Sequence, residues 1–122
     1  MNEKFIQNLD KLPADVRRQF SLLMNQYGEK KKQASIQNDF LTFVKHVWPD
    51  FIEGSHHKRI ADKFNKLAEG KIKRLIINMP PRHTKSEFGS YLLPAWMVGR
   101  NPKLKIIQST NTTELSVRFG RK

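Results

Sequence analysis

Apolar residues along the chain first recur at helical spacing and later form short unbroken runs. Before residue 35, four of them fall at offsets of three and four, which places them on one face of a helix. These are Val16, Phe20, Leu23 and Tyr27. Pro13 suits the first turn of this helix, and Gly28 with the charged run 29–32 marks its end or a frayed extension. Residues 1–35 are therefore predicted to form an N-terminal helical extension.

Two shorter helices are predicted next. Asn38 or Asp39 is placed to cap the first, which Pro49 stops. Its apolar residues are Phe40, Phe43, Val44, Val47 and Trp48. Ser55 is placed to cap the second, and Gly70 marks its C-terminal end. Its inward residues are predicted to be Ile60, Phe64 and Leu67.

Beyond residue 70 the pattern becomes that of strands and helices in alternation. Residues 72–79 are rich in β-branched side chains and end at a double proline, which predicts a strand buried over residues 75–77. Residues 104–109 predict a second strand. The order strand, loop, helix, strand, helix predicts parallel strands with helical crossovers, an α/β layered fold over residues 36–122.

The sequence also predicts where the two helices in this part begin and where one of them is interrupted. The first is predicted from Lys85, and Pro94 within it is expected to kink or end it. Its apolar face comprises Phe88, Leu92, Leu93 and Trp96. Asn111 has the spacing of a cap for the last helix, which carries Leu115 and Val117.

The loop between the first strand and its helix carries the candidate chemistry. Residues 79–86 align with the phosphate-loop pattern G-x-x-x-x-G-K-[ST] at Lys85 and Ser86, although both glycines are missing. Lys85 would reach the β- and γ-phosphate oxygens, and Ser86 would place its hydroxyl on a magnesium ion that bridges them. Arg82 adds a second cation with a planar fork. Lys85 and Arg82 are the candidate catalytic residues.

Two residues of the loop leave alternatives open. A positive φ at Thr84 would cost a β-branched residue on the order of 1–2 kcal/mol, whereas a helical backbone would tolerate it. For His83 three roles stay open: packing against other side chains, binding water, or forming a hydrogen bond to phosphate. A turn followed by a basic helix start, with no ligand, explains the same residues. However, each positive residue at a helix N-terminus opposes its dipole by roughly 0.3–1 kcal/mol, and two cations there favour an anionic ligand.

Composition adds a strong positive charge. The chain has 23 Lys and Arg against 11 Asp and Glu, a formal net charge of +12. Such an excess suits a polyanionic partner, or it is a solvated basic face without one. The absence of cysteine, of an apolar leader at residues 1–5 and of a run long enough to span a membrane favours a soluble intracellular protein.

Residues 51–57, 69–86 and 94–96 closely resemble the large terminase subunit of tailed bacteriophages. The similarity runs from about residue 38 to the end, and residues 74–86 are its most specific part. That family typically has Pro-Pro-Arg before a Lys-Ser pair, which accounts for the missing first glycine. The resemblance implies an incomplete RecA-like P-loop ATPase core that takes ATP and Mg²⁺.

The resemblance also assigns residues. Lys85 and Ser86 match the phosphate and magnesium positions, and Arg82 matches the basic loop residue. His56 and His57 lie where such proteins often contact the adenine; alternatively, they are solvent-exposed at a helix start. The candidate nucleotide site is therefore Pro81, Arg82, His83, Thr84, Lys85, Ser86 and His57, with Ser86 as the metal ligand.

In function, the resemblance implies a motor that drives double-stranded DNA into a procapsid in the host cytoplasm. Its implied partners are a portal protein and a small terminase subunit, and its full-length form is implied to assemble as a homo-oligomeric ring. No strand ends in paired acidic residues and no carboxylate cluster suits a nuclease. The chain is therefore expected to be a truncated part of an ATPase domain, without the nuclease domain, that binds nucleotide weakly and does not hydrolyse it. A helicase-like P-loop translocase fragment and a non-catalytic basic DNA-binding module are the alternatives.

Overall fold

The computed structural model describes residues 13–121, and five α-helices and one π-helical segment lie within them. The helices are α1 (Ala14–Asn38), α2 (Phe40–Val47), α3 (Ser55–Ala68), the π-helical segment Glu87–Leu92, α4 (Leu93–Arg100) and α5 (Thr113–Arg121). The chain divides into two compact units, Met1–Ala34 and Ser35–Lys122. Residues 1–12, which belong to the predicted N-terminal extension, and residue 122 lie outside the described part.

Helix α1 is longer than its pattern predicts. It passes through Gly28 and the run 29–32 to Asn38, so of the two alternatives, an end there or an extension beyond it, the end is wrong. One glycine costs a helix only about 1 kcal/mol relative to alanine, which is too little to end it. No residue of α1 is buried, and Leu23 and Tyr27 are 64% and 65% exposed. Neither α1 nor another helix between residues 13 and 121 has the length and apolarity to cross a membrane.

Asp39 caps α2 and also joins it to α3. Its Oδ2 accepts hydrogen bonds from the amide and the hydroxyl of Thr42, both at 2.7 Å. Its Oδ1 accepts from Asn65 Nδ2 at 2.8 Å, while Asn65 Oδ1 accepts from the Phe40 amide at 2.9 Å. Of the two capping candidates, Asp39 is therefore the cap and Asn38 is the last residue of α1.

The two ends of α3 differ in how well the sequence predicts them. Gly70 has a φ of 74° and its amide donates to Leu67 O at 3.0 Å, while the Lys71 amide donates to Lys66 O at 2.9 Å. This is the glycine-terminated end that the sequence predicts. At the other end the cap is Gly54, so the prediction of Ser55 is wrong by one residue. At α5 the cap is likewise displaced, because the Leu115 amide donates to the hydroxyl of Thr112 rather than to Asn111.

The core of the second unit is helical and centred on one aromatic ring. Phe40 makes edge contacts with Phe64, Phe88 and Trp96 at ring-centroid distances of 5.0, 5.4 and 5.4 Å. Trp96 Nε1 donates to the Ile36 carbonyl at 3.0 Å, which satisfies the polar edge of a buried ring. The buried apolar residues are Phe40, Val44, Ala61, Phe64, Phe88, Leu92 and Trp96.

The two predicted strands are wrong. Residues 72–79 and 104–109 form neither helix nor strand, and no strand occurs among residues 13–121. The α/β fold with an incomplete RecA-like P-loop ATPase core is therefore contradicted by an all-helical structure. A strand needs a neighbour that accepts and donates its backbone hydrogen bonds, and neither run has one here. Ile76 and Ile107 remain 86% and 97% exposed, so much of each apolar run is not buried.

Residues 85–100 are helical throughout, and Pro94 does not end the helix. The turns before it widen instead, since the Leu93 amide donates to Phe88 O, five residues back. Proline lacks the amide that would bond to the carbonyl four residues earlier. That carbonyl, Ser90 O, accepts from Gln108 Nε2 at 3.0 Å. The π-helical segment and the Gln108 contact thus accommodate a proline within the helix.

Candidate phosphate-binding site

The loop before the helical residues 85–100 bounds an open cavity of about 570 Å³, lined by residues 79–82 and 84–87. The lining includes five of the predicted nucleotide-site residues, which are Pro81, Arg82, Thr84, Lys85 and Ser86. His83 and His57 do not line it. The structure therefore brings most of the predicted set to one concave surface and places the two histidines outside it.

Two residues of this loop have a left-handed backbone. Arg82 has a φ of 64° and Thr84 a φ of 58°, and they are the only non-glycine residues with positive φ among residues 13–121. Thr84 thus adopts the costlier of the two conformations considered for it, since such strain costs on the order of 1–3 kcal/mol. Backbone strain of this kind clusters at functional sites, and turns that mix left- and right-handed residues form anion-binding concavities.

A series of hydrogen bonds, each with a defined donor and acceptor, connects Thr84 to residues outside the cavity lining. The Gly54 amide donates to His57 Nδ1 at 2.9 Å, so this nitrogen carries no proton. In the neutral ring the proton is then on Nε2, which lies 2.7 Å from Thr84 Oγ1 and donates to it. The Thr84 hydroxyl in turn donates to the His83 carbonyl at 2.6 Å. At each hydrogen bond of this series, each group therefore has one role, either donor or acceptor.

His57 is part of the core rather than of the surface. It is 6% exposed, and its ring lies 4.8 Å from that of Phe51 and 5.0 Å from that of Phe88, centroid to centroid. The alternative of a solvent-exposed position is therefore wrong for His57. Because its ring nitrogens bind Gly54 and the loop, the structure gives it a contact with the loop and not with the cavity.

The surroundings of His57 favour its neutral form. Burial lowers its pKa from the ordinary value of 6.5. Electrostatic interaction with His56, whose ring lies 3.8 Å away, and with His83 lowers the pKa of His57 further, while Glu53 opposes these effects. A low pKa agrees with the hydrogen bonds, since only an unprotonated Nδ1 accepts from Gly54.

His83 supports the loop from its exposed side. A carbonyl oxygen only accepts hydrogen bonds, so the 2.9 Å contact between His83 Nδ1 and Pro81 O requires a proton on Nδ1. The ring therefore bonds to the loop's own backbone, a contact that differs from the three alternatives of packing, water and phosphate.

The cavity has a mixed lining, in which two cations and one carboxylate stand beside hydroxyl-bearing and apolar residues. Arg82 and Lys85 are exposed and line it, together with the hydroxyl-bearing Ser86 and the half-buried Glu87. Within residues 13–121, no group of three or more His, Asp or Glu side chains could hold a metal ion. A magnesium ion at Ser86 would therefore need further ligands from bound phosphates, which is how Mg²⁺ commonly binds with nucleotides.

The role of His57 in the loop was missed by sequence reasoning, although a pattern pointed to its burial. His57, Ala61, Phe64 and Ala68 recur at offsets of four, three and four, which is one helix face. That spacing predicts that His57 faces inward. It does not reveal Thr84 as its partner, because the two residues are far apart in sequence.

No protein-family model, no curated protein and no solved structure matches this chain.

Proposed function

We propose that the loop of residues 79–87 binds the phosphates of a nucleoside triphosphate, namely ATP with its Mg²⁺. One observation carries the proposal: a strained left-handed Thr84 stands directly before Lys85, in a cavity that both Lys85 and Arg82 line. Left-handed backbone lets peptide N–H groups face an anion. The two cations supply charge that phosphate oxygens would neutralise.

Each side chain in the lining has a defined part in this proposal. Lys85 binds the terminal phosphates as a point charge, and Arg82 offers a planar fork to two phosphate oxygens. Ser86 contributes its hydroxyl to the Mg²⁺ that accompanies the nucleotide. The anion also relieves the unfavourable placement of two cations at the start of a helix.

We further propose that the loop serves a viral DNA-packaging motor, the terminase large subunit, in which ATP turnover drives double-stranded DNA into a procapsid. The support is the resemblance of residues 51–57, 69–86 and 94–96 to that family, together with a net charge of +12 that suits a DNA-contacting protein. The portal protein and the small terminase subunit are the partners that belong to this proposal.

Calorimetric titration of the 122-residue chain with ATP and Mg²⁺ tests the phosphate site. Lys85→Ala should weaken binding about 10- to 100-fold, since a charge-assisted contact is worth about 1.5–3 kcal/mol. Arg82→Ala should weaken it less. Lys103→Ala is the matched control, because Lys103 is exposed and lies outside the cavity. Wild-type affinity in the Lys85 variant would remove this residue from the site.

A non-catalytic DNA-binding module is the second candidate, and the charge of +12 favours it. The same titrations separate the two functions. A module of this kind would bind duplex DNA in a salt-dependent manner and would not bind ATP, whereas a phosphate site for ATP would lose affinity on Lys85→Ala.

A further inference from the structure

We propose that His57 is a positioning residue, which holds Thr84 in the left-handed conformation that shapes the phosphate-binding loop. The consequence for ligand affinity rests on the proposed function, whereas the effect on the loop itself does not. The motivating contact is the 2.7 Å hydrogen bond between His57 Nε2 and Thr84 Oγ1, which joins the first turn of α3 to the loop.

Thr84 needs an external anchor because its side chain disfavours the backbone conformation that it adopts. Its Cβ is branched, and left-handed φ is a region that glycine occupies readily and β-branched residues avoid. Its hydroxyl has two partners, since it accepts from His57 and donates to the His83 carbonyl. These two bonds fix the position of Oγ1 relative to the backbone on one side and to α3 on the other.

His57 can act as an anchor because its own ring is fixed. The residue is 6% exposed, and its ring packs against those of Phe51 and Phe88, which also contact each other. The Gly54 amide holds Nδ1 and thereby sets the direction of Nε2. A ring with two bonded nitrogens and two aromatic neighbours has little freedom to turn, so the position of Nε2 is set by the core.

The anchor depends on the charge of the ring. A proton on Nδ1 would face the Gly54 N–H and would break that hydrogen bond, after which the ring is no longer oriented toward Thr84. The charged or titratable groups around it are His56, His83 and Glu53. The first two repel a protonated His57, and the third attracts it, so the loop is expected to loosen as His57 takes up a proton.

NMR of the full chain without nucleotide tests the anchor directly. A positive φ brings the amide proton and the α-proton of one residue close together, so Thr84 should show a strong intraresidue NOE between them. His57→Phe keeps an aromatic ring of similar size and removes both nitrogens, and it should abolish the strong NOE. ATP affinity should fall about tenfold, the value of one hydrogen bond near the upper end of its range. The control is His46→Phe, which makes the same change at an exposed position of α2 and should alter neither readout.

A second variant separates positioning from packing. Glycine adopts positive φ without a side-chain anchor, so Thr84→Gly should make the loop independent of His57. The double variant, His57→Phe with Thr84→Gly, should bind ATP as Thr84→Gly alone does. If the double variant is instead weakened as much as His57→Phe, then His57 acts through packing and the proposal is wrong.

The possible failures are distinguishable. If the wild-type chain does not bind ATP, the proposed function fails, while the NOE still decides the role of His57. If the NOE of Thr84 persists in His57→Phe, the positioning role fails whatever the ATP affinity. Should His57→Phe not fold, His57→Asn takes its place. The amide oxygen of asparagine stands near the position of Nδ1 and keeps the Gly54 bond, but its side chain is too short to reach Thr84, so the same loss of the NOE is expected.

Discussion

Thr84 and its hydrogen bonds show how a β-branched residue persists where glycine is usual. Its left-handed backbone costs on the order of 1–3 kcal/mol, and each of the two hydrogen bonds of its hydroxyl contributes about 0.5–1.5 kcal/mol. The magnitudes are comparable, so the bonds to His57 and to the His83 carbonyl offset much of the strain. The loop conformation therefore depends on side chains outside the cavity as much as on those that line it.

The pH dependence of stability reports on His57. Its pKa is lower in the folded protein than the ordinary 6.5, so as the pH falls the unfolded chain binds this proton first. The His57 contribution to the free energy of unfolding is therefore fully present above about pH 6.5 and is lost as the pH falls from there through the lowered pKa. Urea unfolding of wild type and of His57→Phe between about pH 7.5 and about pH 5 measures this.

The comparison with the variant removes the pH dependence that the two proteins have in common. Wild type should lose more stability on acidification than His57→Phe, which has no ring proton to gain at this position. Parallel pH profiles for the two proteins would mean that His57 is not held neutral by the fold.

At the scale of elements, one cap connects two helices. Burial raises the pKa of Asp39, but hydrogen bonds from Thr42, Asn65 and the Leu41 amide outweigh it and hold the pKa below its usual range. Asp39→Ala should therefore lower the free energy of unfolding by about 1–2 kcal/mol, as loss of a helix cap typically does. Equilibrium unfolding in urea measures the change. Asp50→Ala, at an exposed position after α2, is the control and should stay within about 0.5 kcal/mol of wild type. Equal losses in both variants would contradict the capping role.

The helices were predictable from local sequence and the strands were not. Asp39, Gly70 and the buried Phe40, Phe64 and Trp96 follow from capping preference and helical spacing, which are properties of nearby residues. A strand depends on a partner that its own sequence does not specify. Residues 72–79 and 104–109 have β-type composition but no partner, and so the predicted sheet is absent. How the helix accommodates Pro94 also lies beyond local patterns, since the partner of Ser90 O is Gln108, which is distant in sequence.

Five of the seven residues predicted for the site line the cavity, whereas the conformation of the loop was not predictable. The Lys-Ser pair at residues 85 and 86 identifies the loop without either glycine of the usual pattern. The left-handed φ of Thr84 and its bond to His57 depend on the packing of α3, which is distant in sequence. The role of His57 could therefore not be derived from the loop itself.

At the scale of the whole molecule, the charge of +12 predicts salt-sensitive association with DNA. Lys73 and Arg74 are exposed just before the apolar segment, in the basic run of residues 71–74, which makes them candidates for contact with DNA. Replacing either by alanine should reduce the slope of log affinity against log salt by about 1. Fluorescence anisotropy with duplex DNA at several salt concentrations measures this slope. Lys63→Ala is the control, because Lys63 is paired with Asp62 at 3.7 Å. An unchanged slope in the Lys73 and Arg74 variants would assign these residues to a solvated face.

The central claim is that residues 79–87 bind nucleotide phosphates, and mapping of amide chemical shifts during a titration with ATP and Mg²⁺ tests it most directly. We expect saturable shifts concentrated at the amides of residues 82–86, reproduced by inorganic triphosphate and lost in Lys85→Ala. Proline has no amide, so residues 80 and 81 do not report. An absence of shifts in the loop, or shifts confined to the basic run 30–32, would contradict the account.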